Sequence, residues 1–236
     1  MRRALRVHPL AACGIAALVG GCVSVQQIPL APDGRAALQN REITLGLRDK
    51  PDFAAWTPGV AALGGGLIAG AIIISNGNRL VAENQIDDPS LLIERALSRN
   101  LSTAYGARLA DRTAHLSDDD VAQATREHSS ADLIVDVRTI NWSLLYFPTD
   151  WTHYRVIYSA RLRVIDVKRS RVIAEGSCKR IPGEAAGAPT YDELVTNGAA
   201  RLKQELNLAA QLCIDTFSRN TLAIANPVTQ VAAAAP

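Results

Sequence analysis

The sequence predicts an α+β fold, a mainly antiparallel sheet built from a three-strand meander plus an earlier strand, with helices packed on one face. Three observations predict it. Leu133, Val135 and Val137 alternate along one stretch, and Val156, Tyr158, Ala160, Leu162 and Val164 alternate along the next, with Arg155, Arg161 and Arg163 opposite them; period-two patterns of this kind mark half-buried strands. Asp88-Pro89 and Gly106 bracket an amphipathic stretch as N-cap, first-turn proline and stop. Thr190 and Glu193 form a T-x-x-E capping box ahead of a long apolar stripe.

The elements follow in chain order. Residues 22–40 are polar and proline-containing and read as a tether. Within 41–58, Ile43, Leu45 and Leu47 alternate and predict the first strand. From Gly59 to Ser75 no side chain is charged, and Ala62, Gly66 and Gly70 recur every four residues, the small-xxx-small spacing that lets helices approach closely in lipid. Three readings of 59–75 stand: a marginal membrane-inserted helix, a self-packing helix, or a buried or glycine-rich loop element. The segment is weakly similar to the glycine-zipper segments of some envelope lipoproteins.

Arg79 to Ile86 reads as a polar connection inside an α+β domain spanning 79–220. Leu92, Ala96 and Leu101 then mark the inner face of a helix ending at Gly106. A shorter helix is expected near Asp118 to Glu127 with Ser117 as its cap. Acids in its first turn complement the helix dipole, which is a simpler account of Asp118-Asp119-Asp120 than a metal site. The meander occupies Ala131 to Lys179, with turns at Pro148-Thr149-Asp150 and Lys168-Arg169-Ser170. Its apolar phase switches from odd to even positions around Thr139, which predicts a bulge. One apolar face and one basic-polar face predict helices on one side only. The closing helix runs from Thr190 to about Phe217, and residues 221–236, rich in Ala, Val and Pro, read as a disordered tail.

The N-terminus gives an address. Arg2, Arg3 and Arg6 precede an apolar run from Leu10 to Gly21, and the run closes on Val19-Gly20-Gly21-Cys22. This pattern resembles a bacterial lipoprotein signal peptide, residues 1–21. An alternative box at Leu10-Ala11-Ala12-Cys13 has almost no apolar run before it. The resemblance implies cleavage before Cys22, a diacylglyceride thioether on its sulfur, acylation (palmitate) of the new amino terminus, and anchorage outside the cytoplasm. Val rather than Asp at position 23 implies the outer membrane of a Gram-negative envelope. Twelve apolar residues are too few to span a bilayer themselves.

Composition narrows the function classes. The formal net charge is +2, but three arginines and no acid leave with the signal, so the mature chain stands at −1. That balance gives no footprint for nucleic acid. Two cysteines remain beyond Cys22, and in an oxidising compartment Cys178 and Cys213 are candidates for a disulfide. Cys178 shares a strand face with Val172, Ala174 and Gly176. Cys213 ends the stripe Val195, Ala199, Leu202, Leu206 and Ala209, so both face the same sheet–helix interface, paired or as two buried thiols.

Catalytic signatures are missing. His115, His128 and His153 have no metal-ligand spacing, and no GxSxG, Walker A or GxGxxG occurs. No catalytic residue, metal or cofactor is expected. Six of the eleven aromatics fall between Trp142 and Tyr158. Around the hairpin tip, Tyr146, Phe147 and Trp151 are candidate partner-binding residues, against the alternative that these rings pack within the sheet.

The order of elements resembles that of small α+β modules in envelope lipoproteins that accompany secretion, cell-wall or lipid-transport machines. The expectation is therefore a membrane-anchored envelope lipoprotein, a structural or accessory module binding an envelope protein or forming a homo-oligomer. The alternative is a periplasm-facing lipid- or glycan-binding lipoprotein.

Overall fold

A computed structural model describes residues 25–61 and 66–228. The signal, Cys22, Ala62 and residues 229–236 lie outside the described residues. The elements are α1 (Pro32–Ala36), β1 (Glu42–Leu47), β2 (Ala54–Ala55), α2 (Pro58–Ala61), α3 (Gly66–Glu83), α4 (Pro89–Tyr105), β3 (Arg108–His115), α5 (Val121–Glu127), β4 (Leu133–Phe147), β5 (Asp150–Asp166), β6 (Arg171–Arg180) and α6 (Tyr191–Thr216). A π-helical turn, Phe217–Thr221, follows α6.

The α+β class holds, but the sheet is mixed rather than mainly antiparallel. Strand order is β3-β1-β4-β5-β6, with β2 beside β4. β1 is parallel to both β3 and β4, and β2 is parallel to β4. Only β4–β5 and β5–β6 form the antiparallel meander. The reason is connectivity. Parallel neighbours need long crossovers, and helices α3, α4 and α5 supply them. β3 escapes the period-two reading because it is an edge strand, exposed along most of its length, with Ala114 its one buried side chain.

The meander itself follows the alternation. Leu133, Val135 and Val137 face Val164, Leu162 and nearby Ala174 beneath α4 and α6. The bulge falls between Thr139 and Asn141. Beyond it the core-facing residues are Trp142, Leu144 and the half-buried Tyr146. The bulge also aims Thr139 at α4. Its hydroxyl donates to the Asp88 carboxylate at 2.5 Å and lies 2.9 Å from the buried Tyr158 hydroxyl. Asp88 caps α4 by accepting from the Ser90 amide, and Gly106 ends that helix at φ 70°, a conformation glycine adopts without strain.

Four further readings change. α3 continues through the supposed connection to Glu83. The first turn of α5 begins at Val121 with Asp120, not Ser117, as its cap. α6 has its capping box at Thr190 but is broken at Thr196–Ala199, where Thr196 is extended and Asn197, Gly198 and Ala199 are left-handed. The segments at either end of the described chain are packed. Ile28 exchanges backbone hydrogen bonds with Glu175, Leu30 and Leu38 are buried, and so are Leu222 and Ile224. Tyr105 and Asn100 bond backbone groups at Leu222, Ala223 and Val228.

Helices cover both faces. α4 and α6 take one side, while α5 packs Val121 and Ala124 over Ile134, Ile165 and Val167 on the other. The basic face is covered because the loop before α5 brings acid to it. Arg161 and Arg163 are almost fully buried, and Asp119 bonds Arg161 at 2.6 Å and also meets Arg138, Arg48 and Arg163. Asp136 on β4 takes Arg48 at 2.6 Å and Arg163 at 2.9 Å. A buried guanidinium is tolerated only with such partners.

Candidate docking surface

From Gly66 onward the glycine-rich segment belongs to α3, which has two distinct faces. Ala69, Ile73, Gly77, Leu80 and Val81 are buried, a spacing of four, four, three and one that follows one side of the helix. Gly77 makes the close approach, since a Cβ there would run into the Phe53 carbonyl. Gly66 and Gly70, expected in a packing stripe with Ala62, are instead exposed, with open space where a Cβ would stand. Ala62 lies outside the described residues.

The outward face is apolar. Leu67 is 95% exposed and Ile68 76%, and Ala71 and Ser75 are also exposed. The first charged residue on α3 is Arg79. Among the described residues, no helix is long and apolar enough to cross a membrane. Leu67, Ile68, Ala71 and Ile72 line a shallow surface depression. Sequence alone could not pick out Leu67 and Ile68, because an uncharged helix does not reveal which side is covered.

The hairpin tip is smaller than the sequence implies. Phe147 is buried, with the Arg155 guanidinium 5.2 Å from its ring centre, and cannot meet a partner. The bulge-shifted pairing near the turn rotates it into the sheet layer. Trp151 is 65% exposed, and its indole N–H donates to the Pro148 carbonyl at 3.2 Å. Tyr146 is half-buried, edge-on to Trp151 and Tyr154. Trp56, which sequence reasoning passed over, is also exposed; its amide donates to Leu144, towards the same end of β4.

Cys178 on β6 and Cys213 on α6 are joined in a disulfide with Cα atoms 5.3 Å apart. The bond pins the last long helix to the sheet. Asp150 accepts from the Thr152 and His153 amides and meets His153 Nδ1 at 2.6 Å, which closes the hairpin turn locally. The acidic triplet is used up structurally: Asp118 accepts from the Asp120 amide, Asp120 caps α5, and Asp119 serves the arginines. Burial works against the Asp119 charge, yet the Arg161 hydrogen bond and the neighbouring guanidinium charges bring its pKa down to about 2. Burial likewise opposes the charge on Asp166, and bonds from Arg41 and Arg169 bring it to about 2.

No family model matches the sequence, and no curated protein does. Among solved structures, the chain is similar in part to the PelC dodecamer from Paraburkholderia phytofirmans, with 11% identity over 84% of this chain and 97% of that one and a TM-score of 0.37. It is similar to lipoprotein GNA1162 from Neisseria meningitidis at 12% identity over 71% of this chain and 99% of that one, TM-score 0.24. The LpoB C-terminal domain from Escherichia coli gives 12% over 61% and 85%, TM-score 0.18. Overlaps this loose assign neither a family nor a function.

Proposed function

We propose that this chain is an envelope lipoprotein, anchored through Cys22 in the outer membrane with its domain facing the periplasm. It works there as a non-catalytic accessory module for an envelope protein or for further copies of itself. The observation that carries the docking role is the outward face of α3. Leu67 and Ile68 stand in solvent on the uncharged face of α3 that the core does not use, and a contiguous apolar patch left open marks interaction sites.

The lipobox pattern supports the anchor. The fold adds a constraint to it, because Ile28 is bonded to β6. Six residue steps separate it from Cys22, at most about 20 Å of extended chain. A lipid on Cys22 therefore holds the β6 edge close to the bilayer rather than on a long leash.

The docking role is tested with Leu67→Asn combined with Ile68→Asn, both far from the core. Cross-linking and co-purification from envelopes should lose a complex that wild type retains, with thermal stability unchanged. Full retention of every partner and every oligomer would sink the assignment to α3.

A further inference from the structure

A cleft of about 740 Å³ lies between α4 and α6, with the end of β1 and Val137 of β4 at its floor. Its volume is that of a small-molecule site. Part of the lining is apolar: Ile86, Val137 and Leu206 are buried side chains that face the cleft. The rim is cationic. Arg95 and Lys203 line the cleft, and neither makes a salt bridge among the described residues. The amino-terminal turn of α4, Pro89 to Leu92, opens into the same space and presents the positive end of its dipole.

One buried polar group faces this cleft. Glu94 is 1% exposed and lines it, and one of its carboxyl oxygens accepts from the Gly46 amide. The remaining acids do not cancel the rim. Asp88 is committed to Ser90 and Thr139, and Asp87 projects fully into solvent, 4.0 Å from Lys50.

We propose that this cleft binds an anionic amphiphile, a single carboxylate or phosphate head on an acyl-length apolar body. The head sits against Arg95, Lys203 and the start of α4, and the body lies on Ile86, Val137 and Leu206. The Glu94 carboxyl meets a polar group at the neck of the ligand. Burial pushes the Glu94 carboxyl well above the usual carboxylate range, which favours its neutral form. The site is independent of the α3 face and of the anchor at Cys22.

The test uses the full mature chain with Cys22→Ser, so that its own acyl chains do not compete. Dodecanoate, dodecyl phosphate, dodecanol and dodecyltrimethylammonium are titrated below micelle formation, with amide NMR shifts as the readout. Both anions should move the Gly46, Leu91, Arg95 and Lys203 amides and bind at least tenfold more tightly than the cation. A preference for one anion identifies the head group. Arg95→Glu with Lys203→Glu, both on the rim, should weaken both anions at least tenfold while circular dichroism stays unchanged. Shifts scattered outside the cleft, equal binding of the cation, or no binding by either anion would overturn the site.

Discussion

Gly77 of α3 lies directly on the backbone carbonyl of Phe53, where no larger residue fits. This contact fixes α3 against β2 and so decides which side of the helix faces out. Gly77→Ala should lower stability by about 1–3 kcal/mol, the usual cost of overpacking. Gly70→Ala, with open space at its Cβ, should raise it by about 0.5–1 kcal/mol through helix propensity. Urea unfolding of the lipid-free chain measures both; equal effects would mean that α3 is not seated on β2.

The Cys178–Cys213 bond closes a separation of 35 residues. In the chain-entropy account such a loop contributes about 3–4 kcal/mol. Cys213→Ser should therefore lower the urea midpoint substantially, and reductant should do the same to wild type but not to the variant. A reductant effect on the variant would place the sensitivity elsewhere.

Acid should loosen the arginine layers. Asp119 and Asp166 both fall from an ordinary 3.8 to about 2 on folding. A carboxylate depressed in the folded state stabilises it fully above the unfolded value and loses that contribution as pH falls through the folded one. Stability should decline between about pH 4 and pH 2, and Asp166→Asn should flatten that decline while lowering stability at neutral pH. An unchanged pH profile in the variant would contradict the assignment.

At the hairpin tip the two aromatic neighbours should behave oppositely. Phe147→Ala removes a buried ring and should cost about 3–5 kcal/mol. Trp151→Ser should leave stability within about 0.5 kcal/mol and act only on complex formation, read by co-purification. A Phe147 variant with wild-type stability would show the ring to be free.

Much of this fold was legible because period and cap signals agree there. The meander, its bulge at Thr139, the Asp88 and Thr190 caps and the Gly106 stop all announce themselves locally. What was missed depends on partners distant in sequence. β3 carries little apolar signal because it is an edge, and the parallel pairing of β1 is set by crossovers rather than by its own residues. Arg161 and Arg163 look like a solvated face until Asp119, over forty residues earlier, is folded onto them. The same limit applies to the docking surface: the uncharged stretch was visible, whereas the choice between Gly70 and Gly77 as the packed glycine required Phe53. The cleft beside Glu94 draws on β1, α4, β4 and α6 and leaves no motif.

The most direct test of the account follows the mature chain exported behind an ordinary cleavable signal with Cys22→Ser, beside lipidated wild type, through membrane fractionation and alkaline extraction. The account predicts that wild type stays with the membrane and the lipid-free chain becomes soluble, because α3 is seated on the domain and only the lipid anchors it. A lipid-free chain that remains in the extracted membrane, or a wild type that leaves it, would contradict that claim.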